Sequence, residues 1–351
     1  MSGKDMLHTA SHPVLALIRC PIPPVIPDRA AQLEEDTLNW FARFGFGASP
    51  HERQLLQACA PAHCACMTAP RASEDLLKFC STYLLWVQVV DPFLDHGELS
   101  QRKDNYARLA PSIIQVLREP WSEPLDLDPK VQLLRDLRLY LEGKASPEHI
   151  RHWVDAHSAY LAAVACEILD AERQRLPSLD QFLHLRNYSA GGPTGAALVS
   201  LCNGASPDST ESEAPAIHAV ADAAVTAMAF LGDLGSAGKE SPLEYNLVNV
   251  LDQQLACSRE EAMAEAIHLC NSIIDMFLKL RSQLLPTASI STRAYLEGLG
   301  TLLRGTLDWA ALAPRYARLP DALPKLGNRP RIDTRRLPSI SWWWDLLDSA
   351  P

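Results

Sequence analysis

This 351-residue chain predicts an all-α fold, a single-domain bundle of about ten helices. Three observations carry that expectation. Long segments repeat their apolar residues at helical spacing. No segment alternates apolar and polar residues as a half-buried strand does. No linker-like stretch divides the chain, although its length would allow two domains. Hydrophobic residues make up 47% of the sequence, enough for a sizeable core.

Residues 1–30 are proline-rich, and CPIPPVIPD cannot be a helix interior. From Ala31, AAQLEEDTLNWFARFGF reads as an amphipathic helix ended by glycine. DLLKFCSTYLLWVQVV, residues 75–90, is apolar nearly all round and should be buried. RKDNYARLAPSIIQVLREP, VQLLRDLRLYLEG and HIRHWVDAHSAYLAAVACEILDAERQR follow as helices. QFLHLRNYSAGGPTG starts helical and breaks at Gly191-Gly192-Pro193. A polar loop spans 202–215, and AIHAVADAAVTAMAFLGDL resumes the helix. Ser258 and Glu261 form a capping box that opens a helix through about Leu285. STRAYLEGLGTLLRGTLDWAALAPRYARL is the last strong helix, so the helical domain runs over 31–318. The tail, 319–351, is proline-broken and basic, with Arg329, Arg331, Arg335 and Arg336, and then aromatic, with Trp342 to Trp344.

The net charge of −10 excludes the basic face that nucleic-acid binding usually needs. An acidic chain binds an anion through local arginines or through cations standing between its carboxylates and the ligand. No run of about 18 apolar residues is present, so no membrane span is expected. Nine cysteines without a secretory signal point to reduced thiols in a cytoplasm. HCAC at 63–66, even with Cys59, lacks the paired spacing of a zinc site.

Two short stretches stand out chemically. Asp91 and Asp95 are four residues apart and share a helix face. Pro92 follows Asp91 directly and predicts that the helix ends or kinks there. In GDLGSAGKE, Asp233, Ser236 and Glu240 are spaced to share one face and offer the hard oxygens that Mg²⁺ prefers. Gly235 and Gly238 weaken that helix by about 1 kcal/mol each relative to alanine. Their lack of a side chain lets another helix or a ligand approach the wall of a site.

In their order and spacing these two stretches resemble the metal-binding motifs of microbial class I terpene synthases. The first motif there has the form D-D-x-x-D and the second N/D-D-x-x-S/T-x-x-K/R-E. They correspond to Asp91-Pro-Phe-Leu-Asp95 and Gly232-Asp233-Leu-Gly-Ser236-Ala-Gly-Lys239-Glu240. Arg186 stands 46 residues before Gly232, the family's spacing for an arginine that senses diphosphate. WAALAPRY supplies Trp309, Arg315 and Tyr316, which resemble the family's tryptophan followed by an Arg-Tyr pair. The Cys-Pro opening, the Thr-x-x-Trp helix, NLVNVL and SREEA are also similar, so the resemblance covers about residues 20–317.

The resemblance implies the class I terpenoid synthase fold. It implies three Mg²⁺ ions, with Mn²⁺ as an alternative, bound by Asp91, Ser236 and Glu240 with Asp95 in support. It implies that Arg186, Lys239, Arg315 and Tyr316 contact the diphosphate, and that Ser189 and Ala190 form a segment that moves on binding. Trp86 and Trp309 are candidates to stabilise a carbocation through their ring faces. The implied substrate is an acyclic isoprenoid diphosphate, farnesyl diphosphate as the family's commonest class, and the implied products are a cyclised hydrocarbon or alcohol plus diphosphate. The tail is a candidate cap for the site, and a homodimer is compatible with the family. Two positions depart from the pattern. Pro92 replaces the second aspartate, and Gly232 replaces the Asn or Asp that begins the second motif. They keep two rival readings open: a degenerate isoprenoid-diphosphate binder with little or no activity, and a chain-elongating prenyltransferase.

Overall fold

The computed structural model describes residues 12–95, 97–320, 323–324, 326–327 and 332–348, without the side chain of Asp95. Of the tail arginines, Arg329 and Arg331 lie outside the described residues. The described residues form fourteen α-helices and no strand. In chain order these are α1 (Ala30–Ala42), α2 (Pro50–Ala58), α3 (Pro61–Thr68), α4 (Glu74–Asp95), α5 (Leu99–Arg118), α6 (Pro129–Tyr140) and α7 (Pro147–Glu172). They continue as α8 (Leu179–Ser189), α9 (Gly192–Asn203), α10 (Pro215–Ser236), α11 (Leu247–Leu255), α12 (Arg259–Leu284), α13 (Ile290–Leu312) and α14 (Trp342–Asp348). The surplus over about ten comes from short helices such as α2, α3, α11 and α14, whose length carries little periodic signal.

Prolines open many of these helices. Pro50, Pro61, Pro129, Pro147 and Pro215 occupy first-turn positions, where the missing N–H costs nothing. Serine caps do the complementary work: Ser258 and Glu261 form the expected capping box at α12, and Ser178 with Gln181 forms another at α8.

Two apolar clusters build the core. One joins α8, α10, α11, α12 and α13 through residues such as Phe182, Phe230, Phe277 and Leu303. The other joins α1, α4, α5, α6 and α7 around Phe41, Phe79, Leu134 and Trp153. The apolar α4 predicted for burial runs through the second cluster. The break at Gly191-Gly192-Pro193 also forms: α8 stops at Ser189, Gly191 adopts φ +75°, and α9 begins at Gly192. A left-handed φ is available to glycine at little cost.

Three expectations are corrected. The helix does not end at Pro92, which sits inside α4; the chain continues helically to Asp95. Proline removes one intrahelical hydrogen bond, and the packing of Val90 and Leu94, both nearly fully buried, holds the last turn in place. Next, α10 is long and apolar enough to span a membrane, and 72% of its apolar stretch is buried inside the bundle. Finally, α10 ends at Ser236, so Glu240 follows it across a turn and does not lie on the same helix.

The tail packs on the bundle. Trp343 and Trp344 are buried in the first core cluster. Ile332 N–H donates to Glu265, and Ser339 N–H donates to Asp180, which straps the chain across α12 to α8. Among the described residues, none beyond Tyr316 lines the cavity described next.

Candidate active site

A cavity of about 490 Å³ opens where the two core clusters meet. Its apolar walls come from both clusters, with Leu198, Val199, Leu302 and Trp309 among them. Its polar rim gathers Asp91, Arg186, Ser236, Lys239, Glu240 and Arg315. Residues separated by more than 200 positions in the sequence thus meet at one mouth.

On α4, Asp91 faces the cavity and accepts a hydrogen bond from Tyr160 of α7 at 2.9 Å. The backbone of Asp95 closes the same helix; its side chain, an expected metal ligand, lies outside the described residues. About one turn before Asp91, Trp86 lines the cavity and donates its indole N–H to Lys130 O at 2.8 Å. Trp309, on α13, donates to Cys59 O at 2.9 Å and meets Tyr316 edge-on, with ring centroids 5.5 Å apart. Both indoles are fixed by their N–H groups and present ring surface to the cavity.

The second motif departs from the one-face picture. Asp233 is fully buried and turned away from the rim. It accepts from Arg186 at 2.6 Å and from Leu247 N–H at 3.1 Å. It therefore holds Arg186 and the start of α11. Ser236 and Glu240 are brought together by Asn246, the N-cap of α11. One Asn246 Nδ2 donates to Asp233 O at 2.9 Å, to Ser236 Oγ at 3.4 Å and to Glu240 Oε2 at 2.5 Å. Burial, followed by the charge of Asp233, pushes the Glu240 carboxyl up from its usual range, which a nearby cation would reverse.

The glycines admit a close neighbour, as expected, and that neighbour is the chain after α13. A Cβ on Gly235 would sit 3.2 Å from the Tyr316 ring, and one on Gly238 would sit 2.3 Å from Arg318 O. They admit the chain that follows α13, which is how Arg315 and Tyr316 reach the rim. They do not make room for a metal. Gly232 is the open position, where a Cβ would meet nothing within 4 Å.

Arg186 bridges two helices. Its Nη2 reaches Asp233, and its Nη1 lies 3.5 Å from Glu167 of α7. Its Nε is buried without a hydrogen-bond partner. Burial works against its charge, but Asp233 and Glu167 hold its pKa above the ordinary value. Glu167 also accepts from Ser189 Oγ. Ser189 and Ala190 stand at the break between α8 and α9 and line the cavity. Lys239 Nζ and Arg315 Cζ lie 5.6 and 5.2 Å from the centroid of Tyr316, so the three form one cationic cluster on an aromatic face.

Sequence reasoning missed Asn246, Glu167 and Tyr160. Asn before an apolar run is a cap signal, and Glu167 interrupts the buried stripe of α7 that contains Tyr160, Ala163 and Val164. A charge on such a stripe needs a partner.

Among the described residues no group of three His, Cys, Asp or Glu side chains could hold a metal ion by itself. The donors that are present fit a hard divalent ion that arrives with its ligand. Mg²⁺ is commonly held by one or two carboxylates together with substrate phosphates and water. Asp91, Ser236 and Glu240 supply such oxygens on a cavity lining that also carries Arg186, Lys239 and Arg315.

Comparison with known proteins agrees with this arrangement. Residues 82–275 match the family model described as terpene synthase family 2, C-terminal metal binding. The chain is 27% identical over 344 residues to spiroviolene synthase of Streptomyces violens, covering 93% of this chain and 96% of that one. It is 25% identical over 346 residues to (+)-T-muurolol synthase ((2E,6E)-farnesyl diphosphate cyclizing) of Streptomyces clavuligerus, covering 95% and 82%. The crystal structure of the SVS_A2 protein from ancestral sequence reconstruction is similar, with a TM-score of 0.81 and 30% identity, covering 94% of this chain and 98% of that one. The chain belongs to terpene synthase family 2. It has the class I terpene synthase fold and is a terpene cyclase, a lyase acting on an isoprenoid diphosphate with a divalent metal.

Proposed function

We propose that the protein ionises an acyclic isoprenoid diphosphate, farnesyl diphosphate first, and cyclises the resulting allylic cation within the 490 Å³ cavity. The observation that carries this reading is the polarity of the cavity. Hard-oxygen donors and cationic side chains meet at one end, and apolar and aromatic walls make up the rest. A molecule with a diphosphate head and a hydrocarbon chain matches that division. The similarity to a farnesyl diphosphate-cyclising synthase supports the chain length.

Mg²⁺, three ions by family resemblance, would act as a Lewis acid that neutralises the leaving diphosphate. Asp91, Ser236 and Glu240 would hold it, with Asp95 in support and Asn246 keeping Ser236 and Glu240 in register. Arg186 Nε, Lys239, Arg315 and Tyr316 donate hydrogen bonds or charge to the diphosphate. The Arg186–Glu167–Ser189 contacts link that binding to the helix break at Ala190. Trp86 and Trp309 present ring faces to the cation, and the apolar walls keep water from it. The two departures, Pro92 and Gly232, remove a side-chain oxygen from each motif, so weaker Mg²⁺ affinity goes with this reading. A cytoplasmic, homodimeric enzyme is compatible with it.

The test is diphosphate release from farnesyl diphosphate with and without Mg²⁺. Metal-dependent release supports the reading. Tight binding of farnesyl diphosphate without release would select the degenerate binder. Release that requires added isopentenyl diphosphate would select the chain-elongating prenyltransferase.

A further inference from the structure

Tyr83 and His157 are nearly fully buried, at 3% and 2% exposure, yet both line the cavity. The Tyr83 hydroxyl lies 2.9 Å from His157 Nε2. His157 Nδ1 lies 2.7 Å from the carbonyl of Trp153, one turn earlier in α7. A carbonyl only accepts, so Nδ1 carries the ring proton and Nε2 carries the lone pair. The tyrosine therefore donates to the histidine. Burial lowers the His157 pKa to about 4, so the imidazole rests neutral and ready to accept a proton.

The position of the pair gives it a task. Tyr83 precedes Asp91 by two helical turns, which places it ~12 Å along α4 from the metal rim. Glu167 and Asp170, the carboxylates of α7 that line the cavity, follow His157 by ten residues or more, ~15 Å along the helix. Asp91, the rim carboxylate nearest the pair, already accepts a hydrogen bond from Tyr160, one turn after His157 on α7. Of the neighbouring polar groups on the cavity wall, the Thr194 and Thr68 hydroxyls donate to backbone carbonyls. The Cys80 thiol is buried and stays protonated. Of these groups the imidazole is the Brønsted base, with its lone pair on the Tyr83 hydroxyl at the cavity wall.

We propose, on the synthase reading above, that Tyr83 and His157 form a proton relay that ends the reaction by deprotonating the final carbocation. The C–H bond next to the cationic carbon breaks, and its electron pair becomes the second bond of the new alkene. The proton goes to Tyr83 Oη as the tyrosine's own proton passes to His157 Nε2. An imidazolium and a neutral phenol result. After the hydrocarbon leaves, the imidazolium returns its proton through Tyr83 to entering water. A carbocation is a far stronger acid than an imidazolium, so the transfer runs downhill.

The alternative is that the pair is only a packed core contact. Tyr83 stacks near Phe79 and Trp86, and His157 meets Trp153 edge-on. The experiment compares wild type with Tyr83→Phe and His157→Gln on farnesyl and geranylgeranyl diphosphates with Mg²⁺. It measures the share of released diphosphate accounted for by the main hydrocarbon. Loss of a positioned base should lower that share on the order of tenfold in both variants, with earlier olefins or alcohols taking its place. Tyr83→Phe keeps the ring and its stacking, so it decides the matter if His157→Gln folds poorly. An unchanged product ratio in Tyr83→Phe, even with a slower rate or lower Tm, overturns the relay alone. No diphosphate release by the wild type overturns the synthase reading and the relay with it.

Discussion

Asp233, fully buried on α10, receives the guanidinium of the largely buried Arg186 of α8 at 2.6 Å. Asp233 thus holds an arginine of the cavity rim in place. Breaking one partner of a buried pair typically costs about 3–5 kcal/mol, because the other charge is left uncompensated. Asp233→Asn should lower stability by that order, measured by denaturant unfolding. A loss below about 1 kcal/mol, the scale of an exposed ion pair, would show that Arg186 does not depend on this contact.

Gly232 gives the opposite kind of prediction. A side chain there meets open space, and it would project beside Ser236 at the rim. Gly232→Asn should restore a metal-ligating oxygen and lower the Mg²⁺ concentration for half-maximal diphosphate release by about tenfold, ~1.4 kcal/mol of affinity. An unchanged Mg²⁺ requirement would mean that position 232 does not face the ion.

Gly238 and Gly235 look alike in sequence but have different neighbours from Gly232. Gly238→Ala drives a methyl into the Arg318–Leu319 backbone, and such overpacking costs about 1–3 kcal/mol. It should also displace Arg315 and Tyr316 and so weaken diphosphate binding. Gly232→Ala is the control, and it should be near-neutral for Tm. Equal effects of the two substitutions would rule out the packing explanation.

Glu34 carries a pH dependence. Its carboxylate accepts from Ala62 N–H at 3.2 Å, while Oε1 is buried without a partner. Burial raises its pKa to about 7, against a partial lowering by the Ala62 N–H. A folded-state pKa above the unfolded one means that the protonated acid stabilises the fold at low pH. That stability is lost as pH rises from the unfolded pKa of about 4.5 towards 7. Glu34→Gln should therefore gain on wild type between pH 5 and pH 8, by roughly 3 kcal/mol at most. Parallel stability curves for the two proteins over that range would contradict the assignment.

Much of the fold was legible in the sequence, because long periodic helices such as α4, α7 and α12 announce themselves and their serine and proline caps mark their starts. Short α2, α3 and α11 fall below the length at which periodicity speaks. Pro92 misled because local chemistry argues for a helix end, while the burial of Val90 and Leu94 extends the helix past it. The rim residues were legible as types and spacings. Their orientations were not: reading Asp233, Ser236 and Glu240 as one face from their three- and four-residue spacing assumes one unbroken helix, and α10 stops at Ser236. Asn246 and Glu167 depend on tertiary partners at the end of α10 and on α8 that a linear reading does not supply.

The most direct test of the whole account is to incubate the purified protein with Mg²⁺ and, separately, geranyl, farnesyl and geranylgeranyl diphosphates, with Glu240→Gln alongside. Solvent extracts are then analysed by gas chromatography–mass spectrometry. The account predicts a cyclic hydrocarbon or alcohol from farnesyl diphosphate with wild type, and near-complete loss of it with Glu240→Gln. No terpene from any of the three substrates with folded protein, or full activity in Glu240→Gln, would contradict it.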